Sequence, residues 1–555
     1  MMEIIRINDL ENAETLLYDH NREIGRTLPD EDLIPGIRKF IKDGEVLGIV
    51  EGNRIVAMLN LYCNNYETLS AYICNVYVLE EYRGKHIAKD LMERAIEICK
   101  SRDFKNVKLH VTPDNTPAVK IYRSLGFDFT GNQNASKDYE MTLNFDSQNY
   151  KKRLLILGAG NAQLDLIKEA KRLDYYVIVC DYRPNMVGSI IANKYYQVNY
   201  MEKDVVIDIA KIEKIDGVIS NSEPVMPIVA EISQCLNLPG NTVESVGKLI
   251  SKSEFRKLQK SCHLYTPKSY IVKDFEKLVE LAQKMEYPII VKPTESSGTR
   301  GTTKVDVFDE QILKQIYLEC KDYSRDDTVS IEEYVSMKNF RVNESDVFVI
   351  GNKFLWDGMT WTDRAEYAPM VPRTYSFPVV MPESKMMKLK NTVESLIREA
   401  GITLGEYNVE AYYTKNNDVF VIEINPRQGG NHIPQLIEQY SGVDFTKLLV
   451  STAVNDMSYF RELDTFERTR KYVTHHVVFS KDSGVLDSIY IDESIKPYIK
   501  WMEQDIENGS MVHQCRNAFD AIACVNFEFD SCETQEFFVR EIEKFIHPIL
   551  REQDC

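Results

Sequence analysis

The sequence predicts a multidomain α/β (α+β) protein. An N-terminal mixed sheet comes first, then a parallel α/β domain that leads into a larger α/β fold. Three observations carry this reading. The chain has 555 residues, which at roughly 150 residues per domain allows three or four units. The apolar pattern breaks once, at the polar stretch Asp146-Ser-Gln-Asn-Tyr-Lys-Lys-Arg153, as expected of a linker around Ser147–Lys152. Beyond it, short apolar strands alternate with helical stretches, the mark of a parallel sheet.

In chain order, residues 1–147 are expected to form the first domain. It includes a strand at Asn75-Val-Tyr-Val78, a helix from Lys89 to Lys100 and a strand at Leu109-His-Val-Thr112. Residues 151–245 are expected to form the second domain. There Leu154-Leu-Ile-Leu157 reads as a strand, followed by Gly158-Ala-Gly160, a helix through Lys171, and strands at Tyr176–Cys180 and Gly217–Ser220. Residues 246–455 make the third domain, with a smaller unit at 266–335 built on strands at Ile289–Val291 and Ser330–Ile331. Its later strands are expected near Val347–Ile350, Glu410–Tyr413 and Val419–Ile424. A last α+β segment, 456–555, closes with a helix expected near Gln535–Leu550.

Composition narrows the function. Apolar residues make up 44% and charged residues 27%, a globular balance. With 67 Lys and Arg against 85 Asp and Glu, the net charge is −18, which lacks the basic footprint of a nucleic-acid binder. The 11 Cys are scattered without a CxxC pair, so neither a zinc ribbon nor a redox dithiol is indicated, and a reducing, cytoplasmic setting is expected. No run of 18 apolar residues and no signal-like start occurs, so no membrane association is expected.

Two constellations carry chemistry. In the first, the strand at Asn75–Val78 runs into Glu80-Glu-Tyr-Arg83-Gly84-Lys85-His86-Ile87-Ala88 at the head of a helix. Backbone N–H groups at such a turn point at an anion, and Arg83 and Lys85 add positive charge. Further on comes Asn115-Thr-Pro-Ala118-Val-Lys-Ile-Tyr122-Arg-Ser-Leu-Gly126-Phe127. In this order and separation the two stretches resemble the GNAT acetyltransferase family. That resemblance implies acetyl-CoA as cofactor, held by Val76, Val78, Arg83, Gly84, Lys85, His86, Ile87, Ala88 and Asn115, with the pyrophosphate on the amides of Gly84 through Ala88. It implies Tyr122 as the general acid that protonates the departing thiolate. His86 stands where the family usually has Gly, which keeps open a sensing role without catalysis.

The second constellation follows residue 250. Lys252 opens a helix, and Lys292 ends the apolar strand Tyr287-Pro-Ile-Ile-Val-Lys292, where it is expected to meet phosphate rather than to pack. Ser296-Ser297-Gly298-Thr299-Arg300-Gly301 follows, a loop whose backbone N–H groups can approach phosphates closely. Glu332-Glu333-Tyr334-Val335 ends another strand. Glu410 precedes Glu423-Ile-Asn425-Pro-Arg427 by 13 residues. Glu423 and Asn425 share a strand face, and with Glu410 on a paired strand the three oxygens would converge on Mg²⁺.

This order resembles the ATP-grasp superfamily, in its carboxylate–amine ligase branch. The resemblance implies ATP on Lys252, Lys292, the 296–301 loop and a backbone hinge at Glu332, Glu333, Tyr334 and Val335. It implies a ribose contact at Asn339, in place of the family's usual Glu, one or two Mg²⁺ on Glu410, Glu423 and Asn425, and Arg427 steadying the acyl-phosphate and the oxyanion. The substrates would be a small-molecule carboxylate and an amine, and a homodimer is an assembly this reading allows. Arg364 and Arg373 are candidates for a substrate carboxylate, His432 for a further substrate contact and Glu223 for the amine. The whole reads as an ADP-forming amide ligase joined to an N-acetyltransferase on one amino-acid or dipeptide pathway. The alternative is a ligase or a bicarbonate-activating carboxylase with an acetyl-CoA-sensing module.

Overall fold

A computed structural model describes residues 3–25, 28–145, 151–294, 300–324, 327–337, 342–365 and 367–551. The chain divides into two compact units, Met1–Asn199 and Tyr200–Cys555.

In the first unit, seven strands form one sheet in the order Ile5–Arg6, Glu45–Glu51, Arg54–Tyr62, Ser70–Val78, Asn106–Val111, Tyr139–Asn144, Asp128–Gln133. All neighbours are antiparallel except Ser70–Val78 with Asn106–Val111, which run parallel. Their pairing begins at Ser70↔Asn106 and ends at Tyr72↔Lys108, so past Tyr72 the two strands part and open the sheet at its centre. Helices Ala13–Glu23 and Asp30–Asp43 cover Val46, Ile55 and Met58 through Leu16, Leu17, Leu33 and Ile37. Helix Ile87–Ser101 buries its stripe of Ile87, Leu91, Met92, Ala95, Ile96 and Cys99, an i, i+4 spacing that puts these side chains on one face.

The unit continues past the polar stretch. Strands Arg153–Leu157, Tyr176–Cys180 and Lys194–Tyr196 pair in parallel, joined by helix Asn161–Arg172. That helix lies against strand Asp128–Gln133. Gly131, at φ +84°, makes the approach feasible, because a Cβ there would overlap the carbonyl oxygen of Lys168. Lys171, with its side chain 2% exposed, donates to Asp128 at 2.7 Å and to Asn193 at 2.9 Å. The Arg123 guanidinium donates to the carbonyls of Ile190 and Ala192 at 2.7 and 2.6 Å. These contacts are why the division of the chain falls at Asn199/Tyr200, inside the segment 151–245 that the sequence suggested as one domain.

The second unit holds two sheets that matter for chemistry. The smaller is antiparallel, in the order Ser269–Val272, Val329–Glu333, Ile289–Pro293, Thr303–Val305. Helices Phe275–Ala282 and Glu310–Tyr323 close its core over Ile289, Val291 and Ile331. The larger runs Val419–Asn425, Leu404–Tyr413, Val342–Ile350, Thr360–Ala365, Ala368–Phe377, Tyr472–Val478, Ala523–Phe529, Ile499–Gln504. One core packs helices Val243–Ile250, Lys252–Ser261 and Glu383–Ala400 against Val347, Val409 and Val421. Another packs helices Ile433–Ser441 and Phe445–Ala453 against Phe348, Tyr375 and Phe377.

The C-terminus differs from the helix expected near Gln535–Leu550. Helix Cys532–Arg540 is followed by a short turn of helix and then strand Ile546–Arg551, which pairs with Gly484–Ile491. A partner strand at hydrogen-bonding distance outweighs the local helical pattern there. Among the described residues no helix is long and apolar enough to cross a membrane.

Candidate active sites

In the second unit, strand pairing assembles the site. Glu410 stands opposite Glu423 on one side and opposite Glu344 on the other. Alternation along each strand places Glu344 and Asp346, then Glu406, Asn408 and Glu410, then Glu423 and Asn425 on one face of the sheet. Asn425 donates to Glu423 Oε1 at 2.9 Å, which leaves its own amide oxygen as an acceptor. Arg364 lies 3.8 Å from Glu410, and Arg427 lies 3.7 Å from Glu223.

So much carboxylate on one buried face separates the groups electrostatically. Burial and the adjacent Glu423 push Glu410 up to about 7. Burial also opposes ionisation of Glu423, but Lys252, the Asn425 hydrogen bond and Arg427 outweigh it and hold Glu423 below the usual carboxylate range. Glu344 is 5% exposed, its Oε2 has no hydrogen-bond partner among the described residues, and burial and Glu410 raise it far above its ordinary value. Burial likewise raises Asp346, although Asn408 and the Gly429 N–H donate to it at 3.0 and 2.9 Å.

The two lysines converge on the same region. Ser251 caps helix Lys252–Ser261, and Lys252 Nζ reaches the Pro293 carbonyl at 3.4 Å, at the end of the strand that carries Lys292. Lys292, expected to meet phosphate rather than to pack, is packed into a buried ion pair. It is 8% exposed and donates to Glu332 Oε2 at 2.7 Å. Arg256 reaches the same oxygen at 3.3 Å, and Ser269 donates to Oε1 at 3.1 Å. Burial opposes the charge on Glu332, but Lys292 and Arg256 hold it well below the carboxylate range. Burial lowers Lys292 in turn.

Around the expected hinge, the Glu333 N–H donates to Lys268 O at 2.9 Å, the Tyr334 N–H to Pro288 O at 3.2 Å, and Val335 O accepts from Tyr412 at 2.6 Å. Gly301, at φ +68°, abuts Pro293 and Tyr323, and Arg300 lies over the Tyr323 and Phe519 rings. Ser296, Ser297, Gly298, Thr299 and Asn339 lie outside the described residues.

In the sheet Arg364 stands opposite Pro372, and Arg373, the next residue along that strand, pairs with Glu543. His432, at φ +58°, begins helix Ile433–Ser441, with its ring 5.2 Å from His475 and 5.1 Å from Trp501. A cavity of about 60 Å³ borders Arg427, Glu406 and the apolar side chains of Met226, Val229 and Leu449. Sequence reasoning missed Glu344, Asp346 and Glu406. Their signal was the acid or amide at every second position of Glu344-Ser-Asp346 and Glu406-Tyr-Asn408-Val-Glu410 inside apolar strands.

The donor set suits Mg²⁺ in its preference for oxygen. Two facing carboxylates and an amide oxygen crowd one another without a cation, as the raised Glu410 records. Among the described residues no group of three or more His, Cys, Asp or Glu forms a complete metal cage, so a cation here would complete its shell with phosphate oxygens and water.

In the first unit, Val76 and Val78 lie on strand Ser70–Val78 where it has parted from Asn106–Val111. Asn75 is left-handed at φ +53°. Gly84 and His86 follow at φ +78° and +63°, and His86 is the residue from which helix Ile87–Ser101 starts. That conformation is the one Gly adopts most easily, so His86 keeps the backbone shape of the turn at some strain. Arg83 donates to Val78 O at 3.1 Å, and Lys85 lies over the Tyr82 ring. Asn115 caps helix Thr116–Ser124 by accepting from the Ala118 N–H at 3.3 Å. Tyr122, on that helix, is 8% exposed, and burial pushes its phenol up to about 12.

Comparison with known proteins follows the same division. Residues 10–127 match the acetyltransferase (GNAT) family. Residues 251–457 match the ATP-binding domain of the carbamoyl-phosphate synthase L chain. An uncharacterized protein, y4rH, of Sinorhizobium fredii is 25% identical over 283 residues, 50% of this chain and 55% of its own. The chain thus spans about half the length of that relative.

Among solved structures, an L-amino acid ligase from Bacillus licheniformis is similar over 73% of this chain and 100% of its own, with TM-score 0.61 and 19% identity. A phosphoribosylglycinamide synthetase from Anaerococcus prevotii matches over 72% and 100%, with TM-score 0.55 and 22% identity. A biotin carboxylase from Campylobacter jejuni matches over 72% and 93%, with TM-score 0.52 and 17% identity. At these identities the likeness is one of fold.

Proposed function

We propose that this chain, which joins a GNAT-family acetyltransferase domain to an ATP-grasp fold, ligates a small carboxylate to an amine with Mg-ATP and acetylates an amine with acetyl-CoA. The observation that carries the ligase half is the facing pair Glu410 and Glu423 beside Lys252 and Lys292. This face offers lysines for phosphate oxygens and carboxylates for a cation. Mg²⁺, held by Glu410, Glu423 and Asn425, would neutralise phosphate charge there.

The substrate carboxylate would attack the γ-phosphorus, and ADP would leave. The amine would then attack the acyl carbon of the acyl-phosphate, and inorganic phosphate would leave with the bonding electrons. Arg427 would stabilise the oxyanion, and Glu223, 3.7 Å from it, would take the ammonium proton. The cavity beside Arg427 suits a short aliphatic group on the carboxylate substrate. The nearby fold of an L-amino acid ligase supports amino-acid substrates.

The acetyl half rests on the parted strands and on Tyr122. With its phenol up to about 12, Tyr122 stays protonated at neutral pH and can donate to the CoA sulfur. The test is ADP release from the full chain against pairs of L-amino acids, with products read by mass with and without acetyl-CoA. Amine-dependent ADP release with a dipeptide mass supports the ligase. ADP release that needs bicarbonate and no amine would instead favour the carboxylase, the reading that the biotin carboxylase fold keeps in view.

A further inference from the structure

A second cavity, of about 470 Å³, lies in the second unit, where strands Ala368–Phe377 and Tyr472–Val478 approach the C-terminal strand Ile546–Arg551. It shares no lining residue with the lysine and carboxylate site. Its polar wall includes Arg373, His476, Lys481, Asp482, Glu543 and His547, and its apolar wall includes Val478 and Ile546.

The charges are mixed rather than of one sign. The Arg373 side chain is only 11% exposed and makes an ion pair with Glu543, while its Nε is buried with no hydrogen-bond partner among the described residues. An unsatisfied guanidinium N–H that far from water is costly. Glu543 is half-exposed and is a reference point for Tyr367 as well, whose phenol is raised by burial and by that carboxylate. His476 Nδ1 is within 2.9 Å of the Thr374 hydroxyl, and burial and Arg373 depress its pKa to about 3, so it stays neutral. His547 Nδ1 is within 2.8 Å of the Glu543 carbonyl, and its ring stacks on Tyr490.

We propose that this cavity is a binding site for a free α-amino acid, taken as a zwitterion. The ligand carboxylate would take the place that the Glu543 carboxylate now holds on the Arg373 guanidinium. That would release Glu543 to accept from the ammonium group, and the apolar wall would take the side chain. The existing ion pair is thus a stand-in for both halves of the ligand: Glu543 for its carboxylate and Arg373 for its ammonium. The site stands whether or not the chain is a ligase, since it shares none of that machinery.

The test is calorimetry on the full chain with L-leucine, with 4-methylpentanoate, which lacks the ammonium group, and with 3-methylbutylamine, which lacks the carboxylate. Glu423→Gln serves as the background in which the ligase site is impaired. Leucine should bind wild type and Glu423→Gln alike, at least about tenfold more tightly than either fragment. Arg373→Gln should weaken leucine by about tenfold or more. Glu543→Gln, at a half-exposed position that tolerates the change, should weaken leucine yet tighten 4-methylpentanoate, because Arg373 is then free. The opposite signs separate this proposal from a merely damaged fold. No leucine binding at millimolar concentration, binding abolished by Glu423→Gln, or isotherms unchanged in both cavity variants would each overturn it.

Discussion

Glu410 and Glu423 are direct cross-strand partners, yet they titrate apart: Glu410 is pushed up to about 7, whereas Glu423 is held below its ordinary value. Burial weighs on both. The difference is that Lys252, Asn425 and Arg427 favour the charge on Glu423, while Glu410 feels that charge as repulsion.

A pH dependence follows from the raised member. In the folded chain Glu410 is pushed up to about 7, above the ordinary glutamate value of 4.5. Between those values the folded chain binds more protons than the unfolded one, so this group's contribution to stability falls as pH rises from about 4.5 to about 7. Melting curves of the metal-free chain across that window should show the decline, and Glu410→Gln should flatten it. Mg²⁺ must displace the same proton, so its apparent affinity should climb by up to about tenfold per pH unit below 7. Identical pH profiles for wild type and Glu410→Gln would contradict the assignment.

Glu423→Ala should abolish amine-dependent ADP formation, because the remaining Glu410 and Asn425 cannot hold the cation against phosphate charge, a loss of several kcal/mol in barrier. Acetyl-CoA binding, measured by calorimetry, should be unchanged. Wild-type ADP release by this variant at ordinary Mg²⁺ would remove the metal role.

Lys292→Ala should reduce stability as well as ATP affinity, because Lys292 is 8% exposed and paired with buried Glu332. Arg256 remains as a partner for Glu332, so the cost should be about 2 kcal/mol, below the 3–5 kcal/mol of a fully broken buried pair. Urea unfolding of Lys292→Ala, Glu332→Gln and the double variant should give a coupling energy of about 1–3 kcal/mol. Strict additivity would show that the pair contributes nothing to the fold.

Asp128→Ala should loosen the first unit on both sides of the polar stretch. Lys171 would lose its carboxylate in a position 2% exposed, and burial already depresses it to about 8. Hydrogen exchange in the full chain should speed up in strand Asp128–Gln133 and in helix Asn161–Arg172 together. A change confined to one side would show that the two parts are only neighbours.

Tyr122→Phe keeps the ring and its contact with Phe127 while removing the acidic proton. If Tyr122 protonates the leaving thiolate, acetyl transfer should fall about 10²-fold or more with acetyl-CoA affinity little changed. Calorimetry and a thiol-release assay read the two quantities separately. Tight acetyl-CoA binding by wild type with no transfer to any amine would support a sensor instead.

The sequence by itself determined the chemistry-bearing motifs and their order. Gly84 to Ala88, Asn115 to Phe127, and Glu410 with Glu423-Ile-Asn425-Pro-Arg427 are local patterns, and local patterns survive folding because turns, caps and strand alternation depend on near neighbours. What only the tertiary structure decided is which groups face which. Glu344 and Asp346 joined the strand of Glu406 and Glu410 through pairing across gaps of up to 66 residues. Lys292 became half of a buried ion pair through Val329–Glu333, and Arg373 met Glu543, 170 residues away. The packing of helix Asn161–Arg172 on strand Asp128–Gln133 carried the first unit past the polar stretch. In each case the deciding energy is burial and charge pairing between distant segments, and no window of sequence contains both partners.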